Sequence, residues 1–322
     1  MPSVTVILTV TVCVVVWLGG GCSSTSGPSE GGGDDWPAFV LVPSGSFTMG
    51  DGTAYCGADQ REVTLTESYY LKQHEVTNQE YLDLVQWALD NGYITATTTS
   101  VSDDLDGSTV ELLDLDDGHC EIAFSGGVFS LSGGTRGNEP VKEVTWYGAV
   151  RYCDWLSLQE DPPLGRAYEH TGNWTCNGGD PYGAEGYRLP TDAEWEYAAQ
   201  YNDERIYPWG SADPTCSRAN YSTTCVGGTC PIRSCPDGES ELGLSDMAGN
   251  VLEWCNDWWT CDLGVVAETD PVGPGSGAFR VIRGGAWNSS ATGLRCASRP
   301  MVANPTMSDY SLGFRVARTT SP

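Results

Sequence analysis

The sequence predicts a single α+β domain with few helices, many short strands and long loops. Three observations carry that expectation. Forty glycines and 18 prolines among 322 residues supply frequent turns, and 12 tryptophans supply a bulky aromatic interior. Three segments with helical spacing each begin at a threonine suited to capping. From Tyr201 onward that spacing fades, and short apolar runs alternate with turn residues in YPWG, GLSDMAGNVLEW, RVIRGGAW and GFRVAR. A chain of this length can bury one large core or two ordinary ones. No internal repeat or strong linker divides Pro37 to Arg318, so one domain is expected over residues 37–320.

The elements follow in order. PAFVLVPSGSFTMG, Pro37 to Gly50, alternates apolar and polar residues and reads as an opening strand or hairpin that turns at Gly50. In EVTNQEYLDLVQWALD, Thr77 and Glu80 have the spacing of a capping box, with Tyr81, Leu84, Val85 and Ala88 on one face. In VTWYGAVRYCDWLS, Thr145 caps a helix that lines up Trp146, Ala149, Val150 and Cys153, so Cys153 is expected to be buried rather than reactive. In LPTDAEWEYAAQ, Thr191 and Glu194 repeat the capping box, with Trp195, Ala198 and Ala199 facing inward. Between the first two helices lies an insertion at about 90–139. It holds the acidic DDLDGSTVELLDLDDGHCEI, then GGVFSLSGG, whose short apolar runs between turns suggest a hairpin. The DLDG at Asp104 to Gly107 resembles half of a calcium loop, but Leu113 stands where a bidentate glutamate is required; a solvated acidic loop is expected.

Charge excludes some partners. With 43 acidic and 16 basic residues the net charge is −27, a field that repels nucleic acid and anionic membrane surfaces. It suits solubility, calcium or a cationic partner. The first 22 residues carry no charge; MPSVTVILTVTVCVVVWLGGGC is followed by SSTSGPSEGGGDD. An apolar run, small residues, a cysteine and a polar tether resemble a bacterial lipoprotein signal over 1–22 with a flexible tether over 23–36, and Cys22 would take the lipid. An ordinary cleaved signal and a single membrane anchor are the alternatives. All three predict export to the bacterial cell envelope, periplasmic or lipid-anchored, with membrane contact only through the N-terminus.

Of 13 cysteines, Cys13 and Cys22 belong to the leader, which leaves 11 in the folded part. That density suits an oxidising compartment and structural disulfides. Close neighbours are Cys216 and Cys225, Cys230 and Cys235, and Cys255 and Cys261. There is no C-x-x-C pair, and His74, His119 and His170 stand far apart, so zinc fingers and thioredoxin-like chemistry are not expected. The odd count leaves one thiol unpaired unless it bridges chains.

The ordered segments FVLVPSGSFTMG, HEVTNQEYLDL, EPVKEVTWYGAVRYCDWLS, YRLPTDAEWEYAAQ, YPWG, GLSDMAGNVLEW, RVIRGGAW and LGFRVAR cover nearly all of residues 39–318. Taken together they resemble the formylglycine-generating enzyme family, the sulfatase-modifying factors. The resemblance implies a C-type-lectin-like topology. It also implies oxidation of a sulfatase cysteine by oxygen at a copper ion held by two thiolates, in the pattern RGGS-x-x-C-x-x-x-x-C. Here the motif serine is Ala286, the first thiolate position is Ser289, and the second falls near Gly293 or Leu294. A hydroxyl is a poor ligand for Cu(I), so copper chemistry is expected to be absent. Cys296 lies beyond those positions, one thiol cannot replace two, and it reads as a structural cysteine.

The resemblance further implies a calcium ion at Asn250, Val251 and Glu253. A second site would begin at Asn220 and Tyr221, although the loop CVGGTCPIRSC lacks the aspartate that completes it. Iron, bound in other branches by a histidine-rich triad, is not expected from these dispersed histidines, and no G-x-S-x-G elbow is present. Three functions remain. The first is an exported binding or interaction module for a protein or cell-surface ligand, with Trp254, Trp258, Trp259 and Trp287 either lining its surface or packing its core. The second is an enzyme with altered chemistry on peptide or sulfatase-like substrates. The third is a structural envelope protein.

Overall fold

Among the described residues, turns every few positions divide the strands among five small sheets. The structure, a computed structural model, describes residues 39–53, 59–169, 174–299 and 302–320. The segments expected to form a leader with Cys22 and a tether, and His170, lie outside the described residues. The first sheet runs β1 (Phe39–Val42), β4 (Tyr69–Lys72), β16 (Ala317–Thr319), β10 (Tyr187–Arg188), all antiparallel. The second runs β14 (Val302–Ala303), β13 (Arg280–Arg283), β11 (Leu252–Trp258), β15 (Leu312–Phe314), with β11 and β15 parallel. In the third, β3 (Arg61–Leu65) lies between β12 (Glu268–Thr269) and β2 (Gly45–Met49). The opening segment is therefore not a hairpin. Val42 pairs with Tyr69 while Gly45 pairs with Leu65, so the chain changes sheets at Pro43 and Ser44. Alternation marks a half-buried strand but does not say which partner covers its edge.

The helices form where expected. In α1 (Asn78–Asp90) both halves of the Thr77–Glu80 capping box are made, and Tyr81, Leu84, Val85 and Ala88 are buried. The Thr145 hydroxyl accepts the Gly148 amide at 3.1 Å to start α2 (Trp146–Gln159), which buries Trp146, Ala149, Val150 and Cys153. Gly148 is required by close approach: a Cβ there would sit 2.0 Å from the Leu112 carbonyl oxygen. The Thr191–Glu194 box opens α3 (Asp192–Gln200), but α3 is not amphipathic in place. All nine of its residues are buried, because Asp192, Glu194 and Glu196 meet Arg283, Arg299 and Arg188 inside the protein. Opposite charges supplied by distant segments made a polar helix face an interior one.

The insertion is more ordered than a solvated loop. It forms a sheet of β5 (Ile94–Ala96), β6 (Ser100–Asp103) and β7 (Glu111–Asp114), then the hairpin β8 (Ile122–Ser125) and β9 (Val128–Leu131) turning at Gly126 and Gly127. Leu112 and Leu113 are fully buried beneath α2, and Asp103 pairs with Arg151 at 2.7 Å in the interior. The DLDG turn itself stays exposed at Asp104, Asp106 and Gly107, as does the loop from Asp116 to His119.

Trp254 belongs to the core, its indole N–H donating to the Val144 carbonyl at 3.0 Å, whereas Trp258, Trp259 and Trp287 are half-buried. Cys216 and Cys225 form a disulfide, and Cys261 is disulfide-bonded while Cys255 keeps a buried thiol, so those two neighbours do not pair. Cys230 and Cys235 carry thiols hydrogen-bonded to each other. Among the described residues no helix is long and apolar enough to cross a membrane.

Candidate functional site

The segment Arg283 to Cys296 is pinned at both ends by one side chain. The fully buried Arg283 guanidinium bonds to Asp192 and, at 2.8 Å, to Glu196 on α3. It also donates to the carbonyls of Cys296 (3.1 Å) and Ser298 (3.3 Å), which closes the loop on itself. Gly284 and Gly285 turn the chain with φ of 90° and 72°, and a Cβ on Gly285 would lie 2.9 Å from the Gly293 carbonyl. The Ser289 hydroxyl accepts the Ala286 amide at 2.9 Å, and the Ser289 amide returns to the Ala286 carbonyl. Leu294 is buried in a small cluster with Tyr207, Ala219 and Ala248. Cys296 is 1% exposed in an apolar cluster, and burial pushes its thiol well above the ordinary range. These residues do not fit a copper ion: a turn-forming hydroxyl, a glycine and a leucine occupy the thiolate positions, and the nearby thiol is neutral.

Behind this wall is a node of buried polar groups. Trp287 N–H donates to the Asn250 carbonyl and Asn250 N–H to the Asn220 carbonyl, each at 2.9 Å. Asn250, with φ of 64°, donates its amide to Glu75 at 2.8 Å, and its Oδ1 accepts from the Cys230 amide (3.0 Å) and Asn220 (3.2 Å). The second Glu75 oxygen accepts the Val251 amide at 3.1 Å. Burial, then Asp246 and Glu253, hold the Glu75 carboxyl well above the usual carboxylate range. Glu253 is clamped by Arg315 through two bonds of 2.6 Å and accepts the Trp195 indole N–H at 2.8 Å. Asn250 and Glu253 thus turn to different protein partners. Asn220, 3% exposed, keeps Oδ1 without a hydrogen-bond partner, while the Tyr221 hydroxyl turns away to the Pro214 carbonyl at 2.9 Å.

Glu75 and Arg315 were not singled out from the sequence, although both lie in quoted motifs, HEVTNQE and GFRVAR. For Arg315 the available signal was a charged residue inside an apolar run, which is rarely buried without a partner, whereas Glu75 stands among polar neighbours that give no such signal. His74 opens the first of these motifs, and Lys72 lies two residues before it. Lys72 Nζ lies 2.9 Å from His74 Nδ1 and 2.9 Å from Glu80. Burial first, and then the Lys72 charge, lower the His74 imidazole to about 4. Between that value and the ordinary 6.5, only the unfolded chain binds the proton. The contribution is therefore complete above pH 6.5 and is lost as pH falls toward 4, by about 3 kcal/mol. His74→Gln should flatten that part of the pH–stability curve in urea titrations; an unchanged slope would show that His74 protonates freely in the folded state.

Fold and site together define an α+β domain of C-type-lectin-like topology whose loop wall is held by buried arginine–carboxylate pairs. The family model described as Sulfatase-modifying factor enzyme 1-like domain matches residues 27–320, and the chain belongs to that family. It is 31% identical over 284 residues to serine/threonine-protein kinase Pkn1 of Chlamydia trachomatis serovar L2, across 87% of this chain and 38% of the kinase. The chain thus spans 38% of that relative's length. It is 29% identical over 319 residues to the formylglycine-generating enzyme of Mus musculus, across 88% of this chain and 76% of the enzyme. Treponema denticola variable protein 1 shares the fold, with a TM-score of 0.63 and 24% identity over 88% of this chain and 95% of that one.

Proposed function

We propose that this chain is an exported binding module of the cell envelope, built on the formylglycine-generating scaffold without its copper reaction. One observation carries the reading. Where the family pattern puts the first thiolate, the Ser289 hydroxyl closes a turn on the Ala286 amide at 2.9 Å. The hydroxyl is neither soft nor acidic enough to hold Cu(I). The half-buried Trp287 packs against Tyr310 with ring centroids 5.8 Å apart, and such aromatic surface suits recognition. Export rests on the uncharged leader ending at Cys22. Incubated with Cu(I), oxygen and a cysteine-containing sulfatase peptide, the purified protein should leave the peptide mass unchanged while a formylglycine-generating enzyme converts it. Conversion of that cysteine to an aldehyde would overturn the reading in favour of an enzyme.

Calcium enters this reading at Asn220. Its buried, unpaired Oδ1 is an oxygen donor of the kind a hard cation takes, whereas Glu253 is engaged by Arg315. Calcium at about a hundredfold excess over its Kd should raise Tm by about 5 °C in the wild type and not in Asn220→Ala. A chelator and added calcium that both leave wild-type Tm unchanged would remove calcium from the reading.

A further inference from the structure

From the convergence of Asp117, His119 and Glu143 we infer a divalent transition-metal site, separate from the copper and calcium positions the family resemblance suggested. One donor atom from each residue lies within 4.8 Å of the other two. Asp117 and His119 are exposed on the loop after β7, and His119 Nδ1 lies 2.8 Å from Asp117 Oδ1. Glu143 comes from a different segment, just before α2. Its backbone is fixed on both sides: its amide donates to the Asp309 carbonyl at 3.2 Å, and its carbonyl accepts the Asp114 amide at 3.1 Å.

An acidic cluster alone would carry little, and Glu143 supplies the independent observation. Glu143 is 2% exposed, and its Oε1 is buried with no hydrogen-bond partner. A carboxylate oxygen left unpaired in the interior costs free energy unless a cation or donor meets it. The charges facing it are unfavourable: Asp117, Asp309 and Asp114 repel it, and Lys142 offers partial relief while also reaching Glu121 at 3.5 Å. The flanking carboxylates are committed elsewhere. Asp309 Oδ1 accepts from Ser311 at 2.8 and 2.6 Å, and Asp114 Oδ1 accepts the Asp116 amide at 2.9 Å.

One imidazole and two carboxylates suit a borderline ion such as zinc, and three protein ligands leave a coordination position open. Donors around a tetrahedral zinc lie roughly 3.3 Å apart, so a small closure of the exposed Asp117 and His119 side chains onto the fixed Glu143 completes the set. The His119 ring packs 5.1 Å from Tyr310, whose other neighbour is Trp287 of the wall. The site therefore adjoins the aromatic surface, and the insertion contributes two of its three ligands.

The test is zinc titration calorimetry on the chelator-dialysed full-length chain, with Co(II) absorption as a second readout. The expected result is one zinc per chain, weakened by about tenfold or more in His119→Ala and in Glu143→Gln. The exposed His119 can be replaced without disturbing the core, so a folding failure of Glu143→Gln would not decide the outcome. The Co(II) complex should lack thiolate charge-transfer bands. Absence of stoichiometric zinc binding would overturn the inference, as would unchanged affinity in His119→Ala. So would strong thiolate bands that vanish in Cys230→Ser, because they would place the metal on the buried thiols.

Discussion

Arg315→Met should destabilise the protein by about 3–5 kcal/mol, the cost of breaking a buried ion pair by removing one partner. The guanidinium makes two 2.6 Å bonds to Glu253 and donates to the carbonyls of Lys72 (3.2 Å), Gln73 (3.3 Å) and Ser245 (3.1 Å). Arg315 and Glu253 are both fully buried. Glu75 and Asp246 lie close enough to Glu253 and Arg315 for their charges to interact, so removing the cation strands a carboxylate beside other acids in the interior. The corresponding fall in Tm is about 6–20 °C. Adding Glu253→Gln to Arg315→Met should restore part of the loss, because the stranded charge is gone. Urea denaturation of the two single variants and the double variant measures the coupling. A loss below about 1 kcal/mol for Arg315→Met would refute the node as an ion-paired clamp.

Arg283→Met should cost a similar 3–5 kcal/mol and should also open the wall locally. Arg283 offsets Asp192 and Glu196 on α3 and holds the carbonyls of Cys296 and Ser298, so its loss frees the C-terminal end of the loop. Iodoacetamide footprinting separates the two effects. Alkylation of Cys296 should rise by about tenfold or more, while Cys153, buried on α2 away from the wall, stays protected. Equal acceleration at both cysteines would mean that the variant unfolds globally, and the proposed pinning of the loop would fail.

Local signals in the sequence were read correctly where the physics is local. Thr77, Thr145 and Thr191 cap helices through bonds spanning three residues, and the apolar faces of α1 and α2 follow from helical spacing. The residue types at Ala286, Ser289 and Leu294 are likewise local facts of the sequence. Long-range partners were not legible. The opening alternation gave no hint that β1 and β2 enter different sheets, because edge pairing leaves no trace in one strand's own pattern. Helical spacing turned Trp195, Ala198 and Ala199 of α3 inward, and only the arrival of Arg283 and Arg299 from distant segments buried Asp192 and Glu196 as well.

Calcium donors illustrate the same boundary. Asn250 and Glu253 are three residues apart in sequence, yet Asn250 turns to Glu75 and Cys230 while Glu253 turns to Arg315 and Trp195. Spacing alone could not say which carboxylates were already engaged by arginines from distant strands. The Asp117, His119 and Glu143 cluster is the converse case: Asp117 stands two residues from His119 in sequence, and the fold brought Glu143 to them.

By itself, then, the amino-acid sequence determined the family and the capped helices, because each depends on residue identity over a few neighbouring positions. The tertiary structure alone decided which charges are paired, which oxygens stay unpaired and which loops meet. Those outcomes depend on distances between segments that the chain brings together only by folding.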